Sequence, residues 1–139
     1  MNDRDLELRN LTYGLVVPLG RVPLAQQAAD AAGLSRDELV ASWRRLHQAH
    51  ALVLDGDEIR MANPFSGVPT PYRVEADGRW WYANCAWDAF GVCTVLGGDG
   101  RIEFRDLVVE VRANRPDDES LRFHCLVPAR HWWDDIVYT

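Results

Sequence analysis

Apolar side chains recur at helical spacing from the start of the chain. Leu6, Leu8, Leu11, Leu15 and Val16 predict a helix over residues 3–17, which Pro18 and Gly20 bring to an end. Pro23 stands where a second helix can open, running through Ala25, Ala28, Ala29 and Ala32 and stopping at Gly33. Ser35, with Glu38 three residues on, spells a capping box, and the helix it starts places Leu39, Trp43, Leu46 and His50 on one face. The period then shortens. Residues 51–54 and 58–61 flank Asp55-Gly56-Asp57, a tight-turn signal for a β-hairpin. Three helices and a two-stranded wing predict a winged-helix-like lobe over residues 1–62.

Three prolines punctuate residues 63–71 and predict a stiff, extended linker. Beyond it, residues 72–75 and 79–83 flank Ala76-Asp77-Gly78 as a second hairpin. An aromatic run ends at Asn84, a cap-forming residue type, and a helical pattern follows from Cys85 to Leu96, closed by Gly97-Gly98. Residues 101–104, 107–113 and 121–127 read as three further strands. In the last of these Phe123, Cys125 and Val127 alternate, so all three are expected to point inward. Residues 129–137 read as a short helix with His131, Trp132 and Trp133. The class is α+β: an N-terminal winged-helix-like lobe, the linker, and an antiparallel sheet lobe (72–139) around one central helix.

That central helix carries the candidate chemistry. Cys85 in its first turn lies among unpaired N–H groups at the positive end of the helix dipole, which favours a thiolate. Asp88, three residues on, shares the same helix face. The pair reads either as a nucleophile or soft-metal site with its own proton carrier, or as a buried structural cysteine beside an aspartate that complements the dipole. Cys93 lies about two turns from Cys85, ~12 Å away, and reads as core. His47 and His50 read as wing packing or surface. His124 and His131 belong to no metal-binding motif, and phosphate-loop, dinucleotide and serine-hydrolase signatures are absent.

Composition narrows the picture further. With 139 residues, 47% hydrophobic and 10% aromatic, the chain can bury a core and does not read as disordered. No apolar run approaches the ~18 residues of a membrane span, and no signal-peptide pattern opens the chain, so a cytoplasmic protein is expected. Three cysteines without a paired spacing imply reduced thiols. The net charge is −6, and residues 1–62 hold seven arginines against nine acidic residues, a net of −2. A lobe that reads DNA is normally basic on its docking face, so a structural wing is the expected role.

Several motifs, in order, resemble the alkylmercury lyases: Gly67-Val-Pro-Thr-Pro-Tyr-Arg-Val74, Asp77-Gly78-Arg79, Tyr82-Ala83-x-Cys85-Ala86-x-Asp88, Arg101-Ile102-Glu103, and the closing Val127-Pro-Ala-Arg-x-Trp-Trp-Asp-Asp-Ile136. The resemblance implies a winged-helix-like lobe joined to a sheet lobe, an organomercurial small molecule as substrate, Cys85 as the first mercury-binding thiol, and Asp88 as the carboxyl that carries protons. Mercury is soft and selects thiolates. Two thiolates weaken the Hg–C bond, and a carboxylic acid protonates the departing carbon. No dissociable cofactor is implied, only external thiols to remove the product. Trp80, Trp81, Trp87, Phe90 and Tyr72 are candidate walls that exclude water and raise the acid's pKa. In the family a second catalytic thiol follows the Asp-Asp-Ile-x-x-Thr segment, whereas this sequence ends at Thr139. Three expectations follow: the sequence is shortened, Cys125 supplies the second metal-binding thiol, or the lyase reaction has been lost in favour of another Cys-dependent chemistry or the sensing of a thiophilic ligand.

Overall fold

Asn2 starts the first helix reciprocally, its side chain accepting the Asp5 N–H while the Asp5 carboxylate accepts the Asn2 N–H. In the computed structural model, which describes residues 2–137, helix α1 spans Asp3–Leu19, passes through Pro18, and ends on Gly20 in the left-handed conformation. Helices α2 (Ala25–Ala32) and α3 (Arg36–Gln48) follow, the latter with the predicted Ser35/Glu38 box. Strands β1 (Val53–Asp55) and β2 (Glu58–Ala62) form the hairpin expected around Gly56.

The face that α1 buries differs from the apolar stripe of the sequence. It consists of Asp5, Leu8, Thr12 and Val16, while Leu6 is 40% exposed. The reason is a polar network with α3. Asp5 accepts from the Ser42 hydroxyl at 2.7 Å and from the Arg45 guanidinium at 2.7–3.1 Å. Thr12 accepts the Trp43 indole N–H at 3.0 Å and donates to the Leu8 carbonyl. Each buried polar group of this α1–α3 network therefore has a partner, the condition for burying it without a large cost.

The proline-rich stretch is more than a spacer. Phe65–Ser66 form β3, which pairs with β2 to complete a three-stranded antiparallel sheet. Phe65 is buried against Trp81 and bridges to Ala83. Thr70 donates to the Ala83 carbonyl at 2.6 Å, tying the same stretch to the residues just before Cys85.

The second sheet is antiparallel in the order β5-β4-β6-β7-β8, with β4 at Tyr72–Ala76, β5 at Arg79–Tyr82, β6 at Gly100–Phe104, β7 at Leu107–Arg112 and β8 at Arg115–Pro116. The β4–β5 turn places both Asp77 and Gly78 at positive φ, the conformation a tight hairpin requires. Helix α4 (Ala86–Val95) packs on the inner face of this sheet. The approach is close. A Cβ at Gly100 would lie 2.6 Å from the Cys93 sulfur. Buried side chains from the helices and both sheets, among them Val16, Trp43, Phe65, Val74, Trp81, Val92 and Val111, make one contiguous core.

Two sequence expectations fail beyond β7. The third strand predicted over 121–127 does not form, and the fifth strand is the two-residue β8 instead. Residues 121–127 run as irregular chain, so strand alternation does not apply to them. Phe123 and Cys125 are exposed rather than inward-facing, and Val127 is half-buried. The helix expected over 129–137 is a 3-10 segment, Ala129–Asp134.

Candidate functional site

The N-terminus of α4 gathers its neighbours from three directions. Cys85 itself occupies the N-cap, with extended backbone (φ −151°), where the sequence suggests Asn84. The Asn84 side chain turns instead to other work. Its Nδ2 donates to Asp88 Oδ2 at 2.9 Å and to Asn63 Oδ1 at 3.0 Å, and lies 3.3–3.4 Å from the carbonyls of Phe65 and Pro64.

Cys85 is half-buried, and burial pushes its thiol above the ordinary value. The N–H groups of Asp88 and Trp87 act in the opposite direction, although neither makes a full capping hydrogen bond, and the Asp88 charge raises the pKa further. The thiolate-favouring dipole expected from sequence is thus outweighed by desolvation. Asp88 is also half-buried. Burial raises its pKa, against hydrogen bonds from Asn84 and from the Cys85 thiol that lower it. A carboxyl shifted this way holds its proton at higher pH than an exposed one, which suits a proton donor. From α1, Tyr13 comes near enough to feel the Asp88 charge, with the Arg9 guanidinium 4.7 Å above its ring.

The third direction is the chain after β8. Phe123 packs edge-on against both Trp87 and Phe90, with centroids 5.5 Å apart in each case. That contact lays residues 121–127 across the first turns of α4. Cys125, two residues on, is exposed, and its charge reaches Cys85, the smallest of the effects raising that thiol's pKa. Further along, Trp133 stacks on His50 at 3.9 Å, which fastens the far end of this segment beyond the end of α3.

The remaining candidates separate from this site. Cys93 is fully buried and pushed up to about 11, a core thiol. Of the proposed aromatic walls, Trp87 and Phe90 stand on α4 and pack against Phe123. Trp81 lies in the core, Tyr72 stacks on Phe104, and Trp80 sits under Arg73 on the outer face of the sheet. His47 accepts the Leu54 N–H, as wing packing requires, and His50 lies past the helix instead of on its buried face. His131 pairs with Asp134 at 2.9 Å, and His124 is exposed. Among the described residues no three His, Cys, Asp or Glu side chains cluster as a metal cage. A hollow of about 320 Å³ is lined by residues such as Arg21, Arg60 and Tyr82 and contains neither Cys85 nor Asp88. Its lining includes Ser66, Asp55 and Glu58 but no cysteine. Asn84 and Tyr13 were not legible as site residues. Asn84 looks like a cap, and Tyr13 reaches the site across 75 residues of sequence.

The alkylmercury lyase (MerB) family matches residues 65–137, more than half of the chain. The chain belongs to the alkylmercury lyase family. Its matched region contains Cys85, Asp88 and Cys125. A crystal structure of the mercury-bound form of MerB2 superposes with a TM-score of 0.62 at 21% identity, over 85% of this chain and 60% of that one. At that identity the likeness is one of fold, and the chain spans about 60% of the length of that relative. Curated protein sequences include no match. Thr139, which closes the family's Asp-Asp-Ile-x-x-Thr motif, lies outside the described residues.

Proposed function

We propose that this chain binds an organomercurial small molecule through Cys85 and cleaves its carbon–mercury bond by protonolysis, with Asp88 as the proton donor. The observation that supports this reading most is the placement of the half-buried Cys85 thiol and the half-buried Asp88 carboxyl together in the first turn of α4, in a chain of this family.

The Cys85 sulfur displaces the labile ligand of R–Hg–X, forming an S–Hg bond and releasing X⁻ and the thiol proton. Cys125 adds as a second sulfur donor and gives up its own proton. Electron density from two thiolates weakens the Hg–C bond. Asp88 transfers its proton to the carbon, whose bonding pair from Hg–C becomes the new C–H bond. R–H leaves, and Hg(II) remains on sulfur until external thiols take it away. Trp87, Phe90 and Phe123 form the apolar side of the site, and burial there raises the acid's pKa. No dissociable cofactor enters the scheme. Cys85 and Cys125 are the mercury ligands, and the ion is substrate and product.

The three helices and the β1–β2 hairpin serve in this reading as a winged-helix-like lobe (1–62) joined through residues 63–71 to the sheet lobe (72–139). Its partner is that sheet lobe and not DNA. The arginines of α3 are engaged internally, Arg36 with Asp57 and Glu58, Arg44 with Asp57, and Arg45 with Asp5, which leaves no free basic stripe on that helix. No helix among the described residues is long and apolar enough to cross a membrane. The three free thiols fit a reducing, cytoplasmic setting.

The test is headspace measurement of benzene released from phenylmercury by the wild-type chain, Cys85→Ser, Asp88→Ala and Cys125→Ser. Release that requires Cys85 and Asp88 and falls in Cys125→Ser is expected. Phenylmercury retained on Cys85 without any benzene from the wild type favours the alternative, a family member that senses or processes another thiophilic ligand.

A further inference from the structure

We infer that Asn84 is a positioning residue for Asp88, an assignment that rests on the lyase reading above. The Asn84 amide has two N–H bonds and four oxygens around it, Asp88 Oδ2 at 2.9 Å, Asn63 Oδ1 at 3.0 Å, and the Phe65 and Pro64 carbonyls at 3.3 and 3.4 Å. The two shortest contacts take the two hydrogens best, so the amide is strung between the Asp88 carboxyl and the Asn63 side chain. Its orientation is settled by the same count, since a flipped amide would set Oδ1 against four acceptors. As it stands, Oδ1 is buried with no donor among the described residues. An acceptor-only side chain of the same shape would fit the pocket sterically and fail it electrically.

The anchor behind Asn84 is firm. Residues 63–65 lead into β3, whose Phe65 is buried on Trp81 and bridged to Ala83. Asn84 therefore transmits the position of a packed segment to the one carboxyl in the first turn of α4. Cys85 at the N-cap lies one helical turn before Asp88, so the Asn84 link holds the carboxyl on the side of the helix where the sulfur carries the substrate. Proton delivery to a carbon held on that sulfur depends on this geometry, and misplacement by about 1 Å costs on the order of 100-fold in rate.

The experiment compares wild type, Asn84→Ala and Asn84→Asp for phenylmercury affinity at Cys85, benzene release, and thermal midpoint. Affinity within ~3-fold and turnover lower by roughly 10- to 100-fold are expected for both variants. Unchanged turnover overturns the assignment, and so does a parallel loss of affinity, turnover and melting temperature, the mark of a merely structural residue. If Asn84→Ala does not fold, the isosteric Asn84→Asp carries the comparison. A wild type that releases no benzene defeats the lyase reading itself. The contact is then judged from the side-chain amide resonances of Asn84, which Asp88→Ala shifts if the link exists. Resonances that stay in place overturn it independently of any reaction.

Discussion

Phe123 meets the edge of Trp87 with ring centroids 5.5 Å apart, and with its matching contact to Phe90 it carries an irregular segment across the start of α4. Cys125 follows two residues later. Phe123→Ala should therefore loosen the approach of Cys125 to Cys85 and resemble Cys125→Ser in retaining Hg(II). We expect both variants to lose bound Hg(II) to a competing monothiol at least ~10-fold more readily than wild type, a difference of about 1.4 kcal/mol. Dialysis followed by native mass spectrometry reads the retained metal. Retention equal to wild type in both variants excludes Cys125 as a ligand.

The thiols should alkylate in an order set by burial. Cys125 is exposed, Cys85 is half-buried with a raised pKa, and Cys93 is fully buried with its thiol pushed up to about 11. Cys125 should react first with iodoacetamide at neutral pH, Cys85 second and Cys93 last, which reverses the order that the helix dipole alone suggests. Because the Cys85 pKa is raised, its rate should keep climbing above the ~8.5 of an ordinary thiol. Peptide mapping at several pH values checks this. Modification of Cys85 before Cys125 at pH 7 contradicts it.

Asp5 is fully buried and bonded to Ser42 and Arg45, and the Arg45 hydrogen bond holds its carboxyl well below the usual carboxylate range. With the folded pKa depressed, its stabilisation is present above the unfolded value of about 3.9 and is lost as pH falls below it. Asp5→Ala should destabilise by about 3 kcal/mol, because it removes one partner of a buried charged network. The same variant should flatten the acid limb of the stability curve below about pH 4. Urea melts at pH 7 and pH 3 measure both effects, and a variant with the wild-type acid limb would show that Asp5 does not govern it.

Gly100 and Cys93 interlock the central helix and the sheet. Gly100→Ala places a methyl group 2.6 Å from the Cys93 sulfur and 3.1 Å from the Glu75 carbonyl, so it should cost about 1–3 kcal/mol by overpacking. Adding Cys93→Ala relieves the sulfur contact but leaves the carbonyl contact, and should recover part of that loss. Calorimetric melting of the four proteins of the cycle gives the coupling. Strict additivity would mean that the helix shifts away freely.

Local chemistry was enough for much of this fold. Helices α2 and α3, the two hairpins at Gly56 and Gly78, and the start of α4 near Cys85 follow from caps, turn residues and periodicity, which act over three or four residues. The ordering of Cys85 and Asp88 on one helical turn was likewise visible in their spacing. The tertiary structure decided what spacing does not encode. It buried Asp5 in place of Leu6, because the partners that neutralise Asp5 lie 37 and 40 residues away. It denied a strand to residues 121–127 and laid them over α4 through Phe123, whose ring finds Trp87 and Phe90 there. It set burial against the helix dipole at Cys85, a contest that depends on how much water the neighbours exclude. It also turned Asn84 from a cap into a link between Asp88 and residues 63–65, since a side-chain amide bonds to whatever acceptors the folded chain brings within 3 Å or so.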